Sequence, residues 1–136
     1  MPVAVETTTD ELKEIRKQYI LLRRRMSKSL SEMDRVNIDK AYDLAVEAHK
    51  FQRRKSGEPY ILHPIEVGRI CYEEIGLGPT AVICAILHDV VEDTEVTQEQ
   101  ILAMFGPKIS RIVDGLTKLD GLYNVCLLYT SPSPRD

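Results

Sequence analysis

A chain of 136 residues with 43% apolar and 29% charged content has room for one domain with a modest core and excludes two domains of ordinary size. Its formal net charge of -3, with Lys and Arg interspersed among Asp and Glu, argues against wholesale nucleic-acid binding, so no direct DNA contact is expected and any nucleotide contact must be local. The longest apolar run, Ala81 to Leu87, falls well short of the ~20 residues of a membrane span, and the Thr-rich start lacks the features of a secretory signal, so a soluble, cytoplasmic protein is expected.

In chain order, residues 10–25 are charge-rich with scattered Ile and Leu behind a capping-box pair, Thr8 and Glu11, which predicts a peripheral helix or arm. Ser29 and Glu32 form a second such pair ahead of Met33, Val36, Ala41, Leu44, Ala45 and Ala48, whose three- and four-residue intervals predict one apolar helical face. Residues 52–59 break that period with a basic triplet and Ser56-Gly57. Pro64 then suits the first turn of a helix running to about Ile75, with Gly76 and Gly78 as its stop. Residues 79–93 open on Pro79 and are apolar nearly all round at first, which predicts a buried central helix. Thr97 and Gln100 cap a short helix that Gly106 ends, and Pro107 opens another reaching about Leu119. Six helical segments and no strand predict an all-α domain. Cys71, Cys84 and Cys126 are odd in number and lack C-x-x-C spacing, so no disulfide framework or thiolate zinc site is expected and the first two read as reduced core residues. The last eleven residues, CLLYTSPSPRD, lack apolar periodicity and resemble the translation of a transposon sequencing adapter rather than native chain.

The chemistry gathers at the end of the buried helix. In HDVVED, Glu92 lies four residues after His88 and Asp93 four after Asp89, placing an imidazole and three carboxylates on neighbouring rows of one helix end. Carboxylates there oppose the helix dipole and are costly to desolvate, which a divalent cation would offset; a solvated acidic helix end is the plainer alternative. His63, at a helix start before Pro64, supplies a second imidazole that can be aimed inward, although a lone His is more often structural.

The blocks AHKFQRRKSGEPYILHP, AILHDVVEDT and FGPKISRIVDGLTKLDGLYN, in that order, resemble the hydrolase domain of the RelA/SpoT homologues within the HD phosphohydrolase superfamily, over about Val36 to Val125. The resemblance implies an all-α HD-domain helical bundle, incomplete at its C-terminal side, with residues 1–28 as an N-terminal helical arm, 29–125 as a partial HD domain and 126–136 as the adapter-like tail. It implies hydrolysis of the 3′-pyrophosphate of ppGpp and pppGpp to GDP or GTP and pyrophosphate, with manganese held by His63, His88 and Asp89. A fourth ligand, an Asp in an ADRLHN-like block, does not occur here, so the chain as given is expected to be a weak or inactive enzyme. Glu92 and Asp93 match the family's acidic pair, one of which positions or deprotonates the attacking water. Arg54, Lys55 and Ser56 match its nucleotide-pocket loop, Arg53 less clearly, and His49 reads as structural or supporting a ligand from behind. Full-length relatives in that family continue into a synthetase domain and regulatory domains, with GTP pyrophosphokinase activity and ribosome association as further expectations for a whole protein. Two other readings stay open: a nucleotide-binding HD module without turnover, and another HD phosphohydrolase such as a deoxynucleotidase or cyclic-dinucleotide phosphodiesterase.

Overall fold

A computed structural model describes residues 6–116. Its elements are α1 (Thr9–Met26), a 3-10 turn (Ser27–Ser29), α2 (Glu32–Ala48), α3 (Leu62–Arg69), a π-helical turn (Ile70–Ile75), α4 (Pro79–Asp93) and α5 (Gln98–Phe105), with residues 107–116 helical as α6. Among the described residues there is no strand, only an isolated antiparallel bridge between Arg53 and Pro59. The adapter-like tail and the expected end of the last helix at Leu119 lie outside the described residues.

The order of the fold follows from α4, whose Val82, Ile83, Cys84, Ile86, Leu87 and Val90 are all buried. A helix apolar around most of its circumference must be covered on several sides, and α2 and α3 pack against it. Gly78 and Pro79 start it, the proline filling a first-turn position whose N–H has no helical partner. At its other end Thr94 closes the helix by donating its hydroxyl to the Val90 carbonyl at 2.6 Å.

The contact of α3 with α4 turns on Gly68. A Cβ built there would lie 3.0 Å from Val82 Cγ1 and 3.7 Å from Leu22 Cδ2, so the helices meet closely and a side chain there would push on Val82. Beyond α3 the wider π turn ends at Gly76, whose φ of 87° is a left-handed conformation.

Two expectations need correction. The second helix starts not from Ser29 with Glu32 but from Ser31, whose hydroxyl and backbone N–H form a capping box with Asp34. Ser29 ends the preceding 3-10 turn, and the buried face becomes Ile38, Ala41, Tyr42 and Ala45, leaving Met33 and Val36 exposed. Helix α1, read from its charge as peripheral, buries Ile15, Tyr19, Leu22 and Met26 in the common core, with Tyr19 stacked on Tyr42 at 3.9 Å. Its capping box of Thr8 and Glu11 is present, as is that of Thr97 and Gln100 on α5.

Candidate active site

The last two turns of α4 and the first turn of α3 converge. Asp89 is 8% exposed and lies between two imidazoles, its Oδ2 3.9 Å from His63 Nε2 and its Oδ1 3.6 Å from His88 Nδ1. His63 reaches this position because the backbone turns at Tyr60-Ile61 and its own N–H bonds back to the Tyr60 carbonyl at 2.9 Å, which starts α3 facing α4. His88 Nε2 is buried without a hydrogen-bond partner and lies 3.7 Å from Glu92 Oε2, one helical turn on. Burial, reinforced by the nearby Arg54 charge, holds His63 below the ordinary histidine range, so its ring is neutral and can offer a lone pair. In chemical type these donors suit a divalent ion, and an orphaned buried imidazole nitrogen is the kind of atom such an ion would satisfy. Among the described residues, however, no group of three or more His, Cys, Asp and Glu side chains is already disposed to hold one.

The same residues open onto a cavity of about 550 Å³, lined by His63, Val67, Cys71, Ala85, His88 and Asp89 with further apolar residues. The lining therefore combines titratable side chains with apolar ones, a combination suited to a small ligand with a charged end. Cys71 and Cys84 both face this cavity as free thiols, and burial raises both above the ordinary thiol range, Cys84 to about 11, so neither is an activated nucleophile.

Asp93, exposed at the end of α4, is held from two sides. Tyr60 Oη donates to its Oδ2 at 2.7 Å, and Gln52 Nε2 donates to its carbonyl oxygen at 2.5 Å. Gln52 Oε1 in turn pairs with His49 Nδ1 at 2.7 Å. His49 is fully buried, and burial lowers its pKa, so the neutral ring carries its proton on Nδ1. Tyr60 and Gln52 escaped the sequence reading, although Tyr60 lies three residues before His63, a spacing that puts the two on neighbouring positions of a helical turn.

The basic triplet divides. Arg53 is engaged by Glu11 and by the carbonyls of Glu6 and Gly57, with both guanidinium nitrogens Nη1 and Nη2 used, and so braces the loop against the start of α1. Arg54, exposed, lies 3.9 Å from Glu58 and close enough to His63 and Tyr60 to bias both electrostatically. Lys55 is exposed, and Ser56 donates its hydroxyl to Glu58.

Comparison with known proteins shows what the chain as a whole is similar to. An HD domain family model matches residues 41–131. The chain is 38% identical over 107 residues to a protein of Aquifex aeolicus named guanosine-3′,5′-bis(diphosphate) 3′-pyrophosphohydrolase, covering 72% of this chain and 15% of that protein. A Vibrio cholerae protein of the same name is 40% identical over 113 residues, covering 83% of this chain and 14% of that protein. The GTP pyrophosphokinase rsh of Brucella melitensis is 39% identical over 106 residues, covering 78% and 14%. The chain thus spans about one seventh of the length of these relatives.

Proposed function

Since the chain belongs to the HD domain family, and within it to the RelA/SpoT type, we propose that it supplies the hydrolase site that removes the 3′-pyrophosphate from ppGpp and pppGpp. The observation that carries this reading is the buried Asp89, with one carboxylate oxygen turned to His63 and the other to His88. His63, His88 and Asp89 would hold a divalent ion, manganese by resemblance, which when bound polarises a phosphate oxygen and lowers the pKa of water.

The chain's own residues account for the rest. Glu92 and Asp93, on the exposed end of α4 beside the donors, can orient the attacking water and accept its proton. Water adds to the phosphorus bonded to the 3′ oxygen, the P–O3′ bond breaks, and the 3′ oxygen leaves with a proton, giving GDP or GTP and pyrophosphate. Arg54 lies beside His63, where its guanidinium can pair with phosphate or stack on guanine, and Lys55 and Ser56 extend the same loop toward solvent. The apolar residues that line the cavity, among them Val67 and Ala85, can pack against the base.

A direct assay compares residues 1–125 with the same residues continued through the downstream segment of the gene, both given ppGpp and manganese, with pyrophosphate release as the readout. Release by the continued chain, and little or none by residues 1–125, supports both the activity and the need for a further carboxylate ligand. Equal release from both removes that ligand from the account. Tight ppGpp binding without release from either favours an HD module that binds without turnover, and no binding at all overturns the proposal.

A further inference from the structure

Asp93 emerges from the exposed end of a helix, where a short carboxylate would ordinarily sample several rotamers. Here two side chains from outside its helix grip it at separate atoms. Tyr60 Oη holds the carboxylate through Oδ2, and Gln52 Nε2 holds the backbone carbonyl. Each grip is itself braced. The Tyr60 ring packs between His49, centroid to centroid at 4.9 Å, and His63 at 5.6 Å, edge to face. The Tyr60 backbone N–H donates to the Gln52 carbonyl at 2.9 Å, so the two gripping residues are tied to one another. Gln52 has one orientation available, because its amide N–H is committed to Asp93 and its oxygen to His49 Nδ1.

We infer that Tyr60 is a positioning residue for the hydrolytic reaction, fixing the Asp93 carboxylate in one rotamer through Oδ2 so that its other oxygen faces the reacting water, with Gln52 and His49 as the frame. This deepens the reading of Asp93 as an acid-base group and rests on it. The hydroxyl suits the task. Its Oη can only donate to a carboxylate oxygen, and it does so at 2.7 Å with the ring held against both imidazoles. The contact also spans 33 positions of sequence, joining the turn before α3 to the end of α4, so the carboxylate is referenced to the element that carries His63 rather than to its own helix alone. Pre-organisation of this kind lowers the cost of reaching a reactive geometry, and misplacement by an ångström can cost up to about a hundredfold in rate.

The test is Tyr60→Phe, which keeps the ring between the two imidazoles and removes only the hydroxyl. In the 136-residue chain the three-bond couplings to Asp93 Cγ, read by NMR, should report a single χ1 rotamer in the unsubstituted protein and averaging in Tyr60→Phe. In the protein continued through its downstream segment, Tyr60→Phe should lower kcat roughly tenfold while KM and manganese affinity stay within about twofold. A merely structural tyrosine would lower the Tm and leave the coupling pattern and the kcat-to-KM split unmoved. Unchanged Asp93 couplings in Tyr60→Phe, or a rise in KM with kcat intact, overturn the inference whatever the substrate. If the couplings respond as expected but ppGpp is not hydrolysed by the unsubstituted protein, the bracket stands and the substrate assignment falls.

Discussion

Arg53 grips the carboxylate of Glu11 across 42 positions of chain, with Nη2 2.6 Å from Oε1 and Nη1 2.8 Å from Oε2. The fork geometry is the one in which a guanidinium binds a carboxylate most strongly, and it holds the Glu11 carboxyl at about 2, below the usual carboxylate range, with the Thr8 backbone N–H contributing. Glu11 is at once the third-position partner of Thr8 in the capping box of α1 and the anchor of the loop. The two adjacent arginines are therefore engaged differently, and the proposed contact of Arg54 with substrate makes them separable by experiment. Arg53→Ala should lower the Tm by several degrees with KM for ppGpp little changed, whereas Arg54→Ala should raise KM roughly tenfold at unchanged Tm. Thermal melts and Michaelis curves on the two variants decide; a KM effect from Arg53→Ala equal to that of Arg54→Ala would show that the whole triplet meets substrate.

The Asp89 pair of contacts yields a prediction for ion binding. Replacing His63, His88 or Asp89 singly by Ala should each weaken manganese binding by more than about a hundredfold, since even residues behind a ligand commonly contribute ten- to a hundredfold. Titration followed by manganese EPR measures this without any turnover. Retained affinity in His63→Ala would confine the ion to α4.

Glu92→Gln and Asp93→Asn keep size and hydrogen-bonding capacity while removing the proton acceptor. Whichever residue serves as the base should lose roughly 10² to 10⁴ in kcat, with nucleotide and manganese binding preserved. Single-turnover rates of the two variants identify it, and undiminished rates in both would take the acidic pair out of the mechanism.

His49 makes stability depend on pH. Burial holds its folded-state pKa below the ordinary 6.5, so as pH falls through 6.5 the unfolded chain takes up a proton that the folded chain refuses. The folded state binds fewer protons, and its stability is therefore fully present above that value and lost progressively below it. His63, lowered for the same reason, adds to the effect in the same window. The Tm should fall between about pH 7 and about pH 5.5, and His49→Gln should flatten the slope without abolishing it. A slope unchanged by His49→Gln would mean that the ring is not held neutral.

The features readable from sequence are those that local chemistry decides. An apolar run of the composition of Val82 to Val90 has no stable place except inside, and the capping pairs Thr8–Glu11 and Thr97–Gln100 satisfy orphan N–H groups within one turn. In SLSEMD two overlapping capping patterns compete, and the choice of Ser31 over Ser29 depends on which helical face meets the core, a tertiary matter. The buried stripe of α1 at 15, 19, 22 and 26 has helical spacing and was legible in principle, but dense Arg and Lys along the exposed face masked it. Of the candidate site, His63, His88 and Asp89 were singled out through their blocks of sequence, and the structure brings them near one another. The engagement of Arg53 by Glu11 was not legible, because Glu11 is too distant in sequence for any local pattern to connect them, and the same holds for Tyr60 and Asp93.

Gly68 sets a calibration. The two imidazoles that flank Asp89 belong to different helices, and those helices approach closely at Gly68 and Val82, where an added methyl group would press on the Val82 side chain at 3.0 Å. Neither residue lines the cavity beside Asp89, yet their contact lies between the helix that carries one histidine and the helix that carries the histidine-aspartate pair. A larger residue at this position would be felt first as a change in the distance between the two helices that carry the histidines.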